Sequence, residues 1–128
     1  MTMARSLIAL ALATLLTSSA LAGERRPYDA TAFAAAQARN APIVIHVTAP
    51  WCPTCQAQRP IVQLLVDDPA NPDLIVFDVD FDTEKDVLRE FGVRQQSTLI
   101  AFRGFEERAR AVGITESAAI VALFVATE

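Results

Sequence analysis

The chain has 128 residues and a formal net charge of −4, and 52% of its residues are hydrophobic. This length and composition predict one globular domain whose core is large enough to fold without extra disulfides. The acidic balance and the lack of a Lys/Arg cluster argue against a nucleic acid or an anionic membrane surface as partner.

The N-terminal segment has the pattern of a secretory signal peptide. Arg5 supplies a positive charge, residues 6–16 form an apolar stretch, and residues 20–22 (Ala-Leu-Ala) are the small-x-small motif that signal peptidase requires. We therefore predict cleavage between Ala22 and Gly23.

Cleavage at this point assigns residues 1–22 to the signal peptide and residues 23–128 to the folded domain. Export would place the protein in the periplasm, where disulfides persist. A retained membrane anchor is the alternative, although the apolar stretch is at the short end of the range for a membrane span.

The first half of the domain is predicted to alternate helix and strand. After a short leader, residues 30–39 are good helix formers that Asp29 can cap. The β-branched run IVIHVT at 43–48 predicts a strand buried on both faces. A second helix is predicted over 53–66, with a kink at Pro60 because proline removes a helical hydrogen bond.

A second buried strand is predicted at residues 74–81 (LIVFDVDF). Thr83 can cap a third helix that runs to about Phe91. Gly92 is placed to end this helix, since glycine favours the left-handed conformation found after a helix.

The chain is predicted to close with a hairpin and a helix. Segments 98–103 and 108–114 flank Gly104 as antiparallel strands, and Thr115 caps an apolar helix over 116–127. The order of elements predicts an α/β fold, with a mixed sheet of about four strands sandwiched between helices.

Both cysteines lie in the motif Trp51-Cys52-Pro53-Thr54-Cys55, which opens the second helix. Thiol–disulfide exchange needs an attacking thiolate, an accessible sulfur and a second thiol nearby. A helix N-terminus stabilises the Cys52 thiolate, and we expect it to leave the sulfur accessible, with Cys55 as the more buried resolving thiol.

The cysteine pair is also compatible with two other roles. It could hold a soft metal ion, although a closed tetrahedral site would then need ligands from a second chain. It could be a purely structural disulfide, although its loop is too short to constrain the unfolded chain much.

Together these features resemble the thioredoxin family. The resemblance depends on a strand followed by WCPTC, on Pro60 eight residues after Cys52, on FGVRQQSTLIAF at 91–102, and on Val-Gly at 112–113. It implies a thioredoxin fold and a thiol:disulfide oxidoreductase that acts on protein disulfides with neither cofactor nor metal.

The Pro-Thr dipeptide between the cysteines resembles the active site of exported bacterial thioredoxins that serve cytochrome c maturation. The inserted segment and the glycine-rich motif usual in those proteins are not visible here, so a cytochrome role is one possibility. We predict a monomeric periplasmic reductant of client disulfides, recharged by a membrane thiol donor of the thiol reductant transporter type. The alternative is a disulfide donor, but oxidising family members usually carry an inserted helical domain.

Two positions near the cysteines depart from the family pattern. Ser97 replaces the family's cis-proline, and the Gln96–Ser97 peptide is predicted trans because a cis bond before a non-proline residue costs about 3–4 kcal/mol. His46 replaces a buried aspartate, and Asp78 falls near that aspartate's partner lysine, which predicts a His46–Asp78 pair. His46 is either a hydrogen-bonded core residue or the acceptor of the Cys55 proton.

The resemblance also predicts the surface that a client contacts, partly in the cysteine motif and partly in the turn before the next strand. Its residues are Trp51, Pro53, Thr54, Gln96, Ser97 and Thr98. A merely tolerated turn residue is the alternative for Ser97.

Overall fold

The computed structural model describes residues 22–128 of the chain. The elements in this part are β1 (Glu24–Pro27), α1 (Ala30–Ala38), β2 (Pro42–Thr48), α2 (Pro53–Asp67), β3 (Ile75–Asp80), α3 (Lys85–Phe91), β4 (Thr98–Arg103), β5 (Glu106–Val112) and α4 (Ser117–Val125). Apart from Ala22, the predicted signal peptide lies outside the described residues. None of the described helices has the length and apolar character needed to span a membrane.

The strands form one mixed sheet in the order β1-β3-β2-β4-β5. The strands β1 and β2 both run parallel to β3, whereas β4 runs antiparallel to β2 and to β5. The predicted α/β architecture is confirmed, with five strands in the described part instead of about four.

The additional strand is β1, which the sequence suggested to be a leader into α1. Its backbone pairs with β3, from Glu24 beside Ile75 to Pro27 beside Asp78. A four-residue segment with two arginines and a proline lacks apolar alternation, but edge strands tolerate charge and proline. This strand brings Arg25 within hydrogen-bond distance of Asp78 on β3.

Apolar layers cover both faces of the sheet, and β2 contributes to each. Its residues Ile43, Ile45 and Val47 belong to the layer beneath α1 and α3, whereas Val44 belongs to the layer beneath α2 and α4. Because strand side chains alternate between faces, His46 follows Val44 on the α2 side. The only histidine of the chain is thus placed beneath the helix that carries the cysteines.

Two of the four helix-end residues predicted from the sequence are found in the structure. Asp29 caps α1 and Gly92 ends α3 with φ of 64°, both as predicted. The predicted caps Thr83 and Thr115 are wrong, since α3 and α4 begin later and neither has a side-chain cap bond. The carboxylate of Asp80 accepts the main-chain N–H of Thr83 at 3.1 Å, which keeps that residue in a turn before the helix.

Candidate active site

The cysteines lie where β2 leads into α2. Cys52 is the N-cap of the helix, with an extended backbone, and its Sγ accepts the main-chain N–H of Cys55 at 3.1 Å. Pro53 occupies the first turn, where a missing N–H leaves no helical bond unmade. The predicted position of Cys52 at the helix N-terminus is confirmed, and in the reduced protein this N–H and the helix dipole would stabilise a thiolate.

The two cysteines form a disulfide with their Cα atoms 5.3 Å apart, inside the ordinary range for such bonds. Cys52 is only 1% exposed and Cys55 is 0% exposed. The expectation of an accessible Cys52 sulfur is therefore wrong for the oxidised state, because Ala49 and Phe81 pack around the disulfide. Cys52 Sγ is thus covered in the disulfide form of the protein.

The other residues of the motif lie at the surface beside the disulfide. Trp51 is 56% exposed, and its indole Nε1 donates to Asp82 Oδ2 at 2.8 Å. Pro53 is exposed and Thr54 is half-buried. An exposed aromatic ring with one anchored polar atom is suited to contact another protein, which is the role that the sequence predicts for Trp51.

Ser97 lies directly against the disulfide. Its Oγ is 3.1 Å from Cys52 Sγ and 3.3 Å from Cys55 Sγ, and the residue is 3% exposed. Its φ of 62° is in the left-handed region, which residues other than glycine seldom adopt. The Gln96–Ser97 peptide is trans, as predicted. Gln96 is half-buried and Thr98 is buried, so the turn presents little side-chain surface.

Three hydrogen bonds hold the Ser97 backbone in this conformation. Its N–H donates to the Val47 carbonyl at 2.9 Å, and its own carbonyl accepts from Gly113 N at 3.0 Å. The same carbonyl accepts from Gln58 Nε2 at 3.1 Å. The turn is thereby tied to β2, to α2 and to the end of β5, which fixes the hydroxyl beside the sulfurs.

His46 is fully buried at the centre of a chain of polar side chains. Its Nε2 is 3.0 Å from Gln58 Oε1, and its Nδ1 is 3.4 Å from both Asp78 Oδ1 and Arg25 Nη2. The predicted His46–Asp78 pair is confirmed. Within residues 22–128 no hydrogen bond joins His46 to Cys55, so proton transfer between them stays a prediction.

The Thioredoxin family profile matches residues 26–126. The chain belongs to the thioredoxin family. Its predicted thioredoxin fold is confirmed, and Cys52 and Cys55 are the C-x-x-C pair of a thiol–disulfide oxidoreductase. Protein disulfides are the substrates of this family.

Individual proteins show the same likeness. The bifunctional thioredoxin reductase/thioredoxin of Mycobacterium leprae (strain TN) is 32% identical over 93 residues, which are 73% of this chain and only 20% of that protein. Putative thioredoxin-5 of Dictyostelium discoideum is 33% identical over 84 residues, 65% of this chain and 80% of the relative. The crystal structure of Trxlp from Edwardsiella tarda EIB202 has a TM-score of 0.75 and 43% identity, and the match covers 78% of this chain and 97% of that one.

In this thioredoxin-family site the hydrogen bonds of Gln58 determine the tautomer of His46. The Gln58 amide nitrogen donates to the main-chain carbonyls of Ser97 at 3.1 Å and Ile114 at 2.9 Å. Its Oε1 must then face the ring and accept, so His46 Nε2 carries a proton. In the neutral ring Nδ1 is an acceptor towards Arg25, and in the charged ring it donates to Asp78.

Arg25 completes this network and was not predicted as a site residue. Its Nε and Nη2 donate to the two carboxylate oxygens of Asp78 at 2.8 and 3.0 Å. Burial by itself would raise the pKa of Asp78, but hydrogen bonds from His46 and Arg25 and the charges of these residues lower it. Asp78 therefore presents a carboxylate to His46 at neutral pH.

Sequence reasoning also missed Gln58, although a signal was present. The buried residues of α2 are Cys55, Gln58, Val62 and Val66, which share one helical face. A polar residue in line with the resolving cysteine could have been recognised as part of the site from this spacing.

Proposed function

We propose that this thioredoxin-family protein is exported to the periplasm and reduces disulfides of client proteins there as a monomer. The observation that carries the proposal is the Cys52–Cys55 disulfide at the start of α2, in a chain that opens with a signal-peptide pattern. Electrons would return to the cysteines from a membrane thiol donor of the thiol reductant transporter type.

The exchange proceeds in two displacements. The Cys52 thiolate attacks a client disulfide, which gives a mixed disulfide and one client thiolate. Cys55 then attacks Cys52 Sγ, which restores the intramolecular disulfide and releases the second client thiolate. The short Cα separation of 5.3 Å supports this second step, because the resolving cysteine needs no large movement.

The surroundings of Gly23 support cleavage after Ala22. Gly23 N donates to the Val66 carbonyl at 2.8 Å, and a Cβ on Gly23 would lie 2.9 Å from the Leu74 carbonyl oxygen and 3.0 Å from that of Asn71. After cleavage the Gly23 nitrogen would be an ammonium group beside the Val66 carbonyl, at the C-terminal end of α2, where a cation is favourable. Cleavage at this bond would also leave β1 intact.

The small set of strands and helices in the described residues supports reduction over oxidation. From β1 to α4 the described chain contains only the single sheet and its covering helices, with no inserted helical domain. Such an insertion is usual in the oxidising members of the family, so the simpler domain favours a general reductant.

Export can be tested with the full chain expressed in a Gram-negative bacterium. We expect the protein in the periplasmic fraction, with an intact mass that begins at Gly23. A cytosolic protein that retains residues 1–22 would contradict export. A membrane-bound protein of full mass would instead indicate the retained anchor.

Client reduction can be tested by trapping in the same cells. The variant Cys55→Ala should accumulate mixed disulfides with periplasmic proteins, since Cys52 attacks but is not released. The matched variant Cys52→Ala should accumulate none. Equal yields from the two variants, or no conjugates from either, would contradict the proposed two-step exchange.

A further inference from the structure

The hydroxyl of Ser97 is within hydrogen-bond distance of both sulfurs that exchange electrons, at 3.1 Å from Cys52 Sγ and 3.3 Å from Cys55 Sγ. We infer that Ser97 is a catalytic residue, whose O–H donates to whichever of the two sulfurs carries the negative charge. We also infer that His46 and Gln58 are positioning residues for it. This inference rests on thiol–disulfide exchange and is independent of export and of the client.

A hydroxyl has one donor and two acceptor sites. It can therefore accept a hydrogen bond from one cysteine thiol and donate one to the other cysteine when that is a thiolate. In the reduced protein the Cys55 S–H can donate to Ser97 Oγ, while the Ser97 O–H donates to the Cys52 thiolate. Ser97 is only 3% exposed, so water competes little for this bond. Hydrogen bonds to a charged atom are stronger than neutral ones and gain further in such surroundings.

The same hydroxyl can follow the charge through the reaction. When Cys52 attacks the client, a Cys52–client bond forms, the client disulfide breaks, and the departing client sulfur takes a proton from solvent. Cys52 is then uncharged, and the Ser97 hydrogen can turn towards Cys55.

Resolution uses the second orientation of the hydroxyl. Cys55 loses its proton, which is balanced by the proton that the departing client sulfur takes up, and its thiolate, stabilised by Ser97, attacks Cys52 Sγ. The Cys52–Cys55 bond forms, the Cys52–client bond breaks, and the second client sulfur leaves and is protonated. Two electrons have passed to the client, and the protein reaches the disulfide state seen in the structure.

The buried polar chain explains why the hydroxyl stays in place. Ser97 adopts φ of 62°, which proline, fixed near −65°, cannot adopt. Its carbonyl is held by the Gln58 amide, and Gln58 is in turn oriented by the Nε2 proton of His46. The two departures from the family pattern, His46 and Ser97, are therefore parts of one hydrogen-bonded unit.

The variants Ser97→Gly and Ser97→Ala test the role of the hydroxyl. Glycine accepts the left-handed backbone without strain, whereas alanine keeps a Cβ there, and both lack the O–H. We expect each variant to raise the pKa of the Cys52 thiol by about one unit, a tenfold decrease in its acid dissociation constant. Thiolate absorbance of the reduced protein measures this pKa. At a pH above the Cys52 pKa of both the wild-type protein and the variant, the redox potential of the Cys52–Cys55 couple should fall by up to about 30 mV, because the reduced form loses the hydrogen bond that stabilises its thiolate.

Two controls keep this test specific. Thr127→Val removes a buried hydroxyl that donates to the Phe124 carbonyl at 2.7 Å, and it should change neither the pKa nor the potential. Unchanged values in folded Ser97→Gly and Ser97→Ala would overturn the inference. A shift in the glycine variant alone would also overturn it, because relief of backbone strain and not loss of the hydroxyl would be the cause, as would an equal shift in Thr127→Val.

The positioning role has a separate readout. Gln58→Met removes the amide that holds the Ser97 carbonyl, and we expect the pKa of Cys52 to rise in the same direction as in the Ser97 variants. Gln63→Met, on the exposed side of the same helix, should leave it unchanged. A folded Gln58→Met protein with the original pKa and potential would overturn the positioning role.

Discussion

Replacing Gln58 with methionine should destabilise the oxidised protein strongly. Gln58 is 0% exposed and makes three hydrogen bonds, to His46 at 3.0 Å, to Ser97 at 3.1 Å and to Ile114 at 2.9 Å. Methionine has a similar length but cannot replace them, and the buried Nε2 proton of His46 would lose its acceptor.

The magnitude follows from these losses. An unsatisfied buried donor costs about 1–3 kcal/mol, and each neutral hydrogen bond that is lost costs about 1 kcal/mol. The Ser97 carbonyl keeps its bond from Gly113, and burial of an apolar side chain offsets part of the cost. We expect the free energy of unfolding to fall by about 2–4 kcal/mol.

Urea denaturation of the oxidised protein at pH 7 measures this change. The control is Gln63→Met, which has the same chemistry on the same helix and removes two exposed hydrogen bonds, one donated to Asp67 at 2.9 Å and one accepted from Arg25 Nη1 at 3.4 Å. Surface changes of this kind usually alter stability by less than about 0.5 kcal/mol. If the two variants lose equally little, the buried network does not stabilise the fold in the way its hydrogen bonds indicate.

The remaining predictions concern Asp78 and Trp51. Because the pKa of Asp78 is lowered on folding, its carboxylate stabilises the fold above about pH 4, and this stabilisation is lost as the pH falls through the folded pKa. Asp78→Asn should therefore cost about 1–2 kcal/mol of unfolding free energy at pH 7, and this cost should shrink as the pH falls through the folded pKa of Asp78. The exposed Asp86→Asn should cost little at any pH. A cost of Asp78→Asn that does not change between pH 7 and acid would refute the assignment. Trp51→Ala should raise KM for a protein disulfide about fivefold to thirtyfold, as expected for loss of an aromatic contact, and should leave turnover of a small disulfide unchanged. The control is Phe105→Ala, which removes another exposed aromatic ring. Equal effects of Trp51→Ala on the two substrates would show that Trp51 does not contact clients.

The parts of the fold and site that depend on local patterns were predictable. The apolar run of β2 and the motif that follows it place Cys52 at a helix N-terminus without any knowledge of distant residues. The cap at Asp29 and the stop at Gly92 are likewise local, since side-chain or backbone chemistry at one position determines them.

The parts that depend on long-range pairing were not predictable in the same way. The short strand β1 forms only because β3 offers a free edge, and its own residues carry no strand pattern. Arg25 therefore could not be connected with Asp78 from the sequence, although the His46–Asp78 pair could. The left-handed φ of Ser97 likewise depends on partners in three separate elements.

Burial of Cys52 also required the three-dimensional structure. A helix N-terminus predicts stabilisation of the thiolate, but it does not determine what packs against the sulfur. Phe81 follows β3 and Ser97 precedes β4. Both residues lie near Cys52 because β3 and β4 are the two neighbours of β2 in the sheet.

The redox potential of the Cys52–Cys55 couple tests the proposed reducing function most directly. Equilibration of the protein with dithiol or glutathione buffers of known potential, followed by thiol alkylation and mass measurement, gives this value. We expect a potential close to that of reducing thioredoxins, about −270 mV, and in any case below about −200 mV. A potential near about −120 mV, typical of strong periplasmic oxidants, would contradict the proposed direction of electron flow.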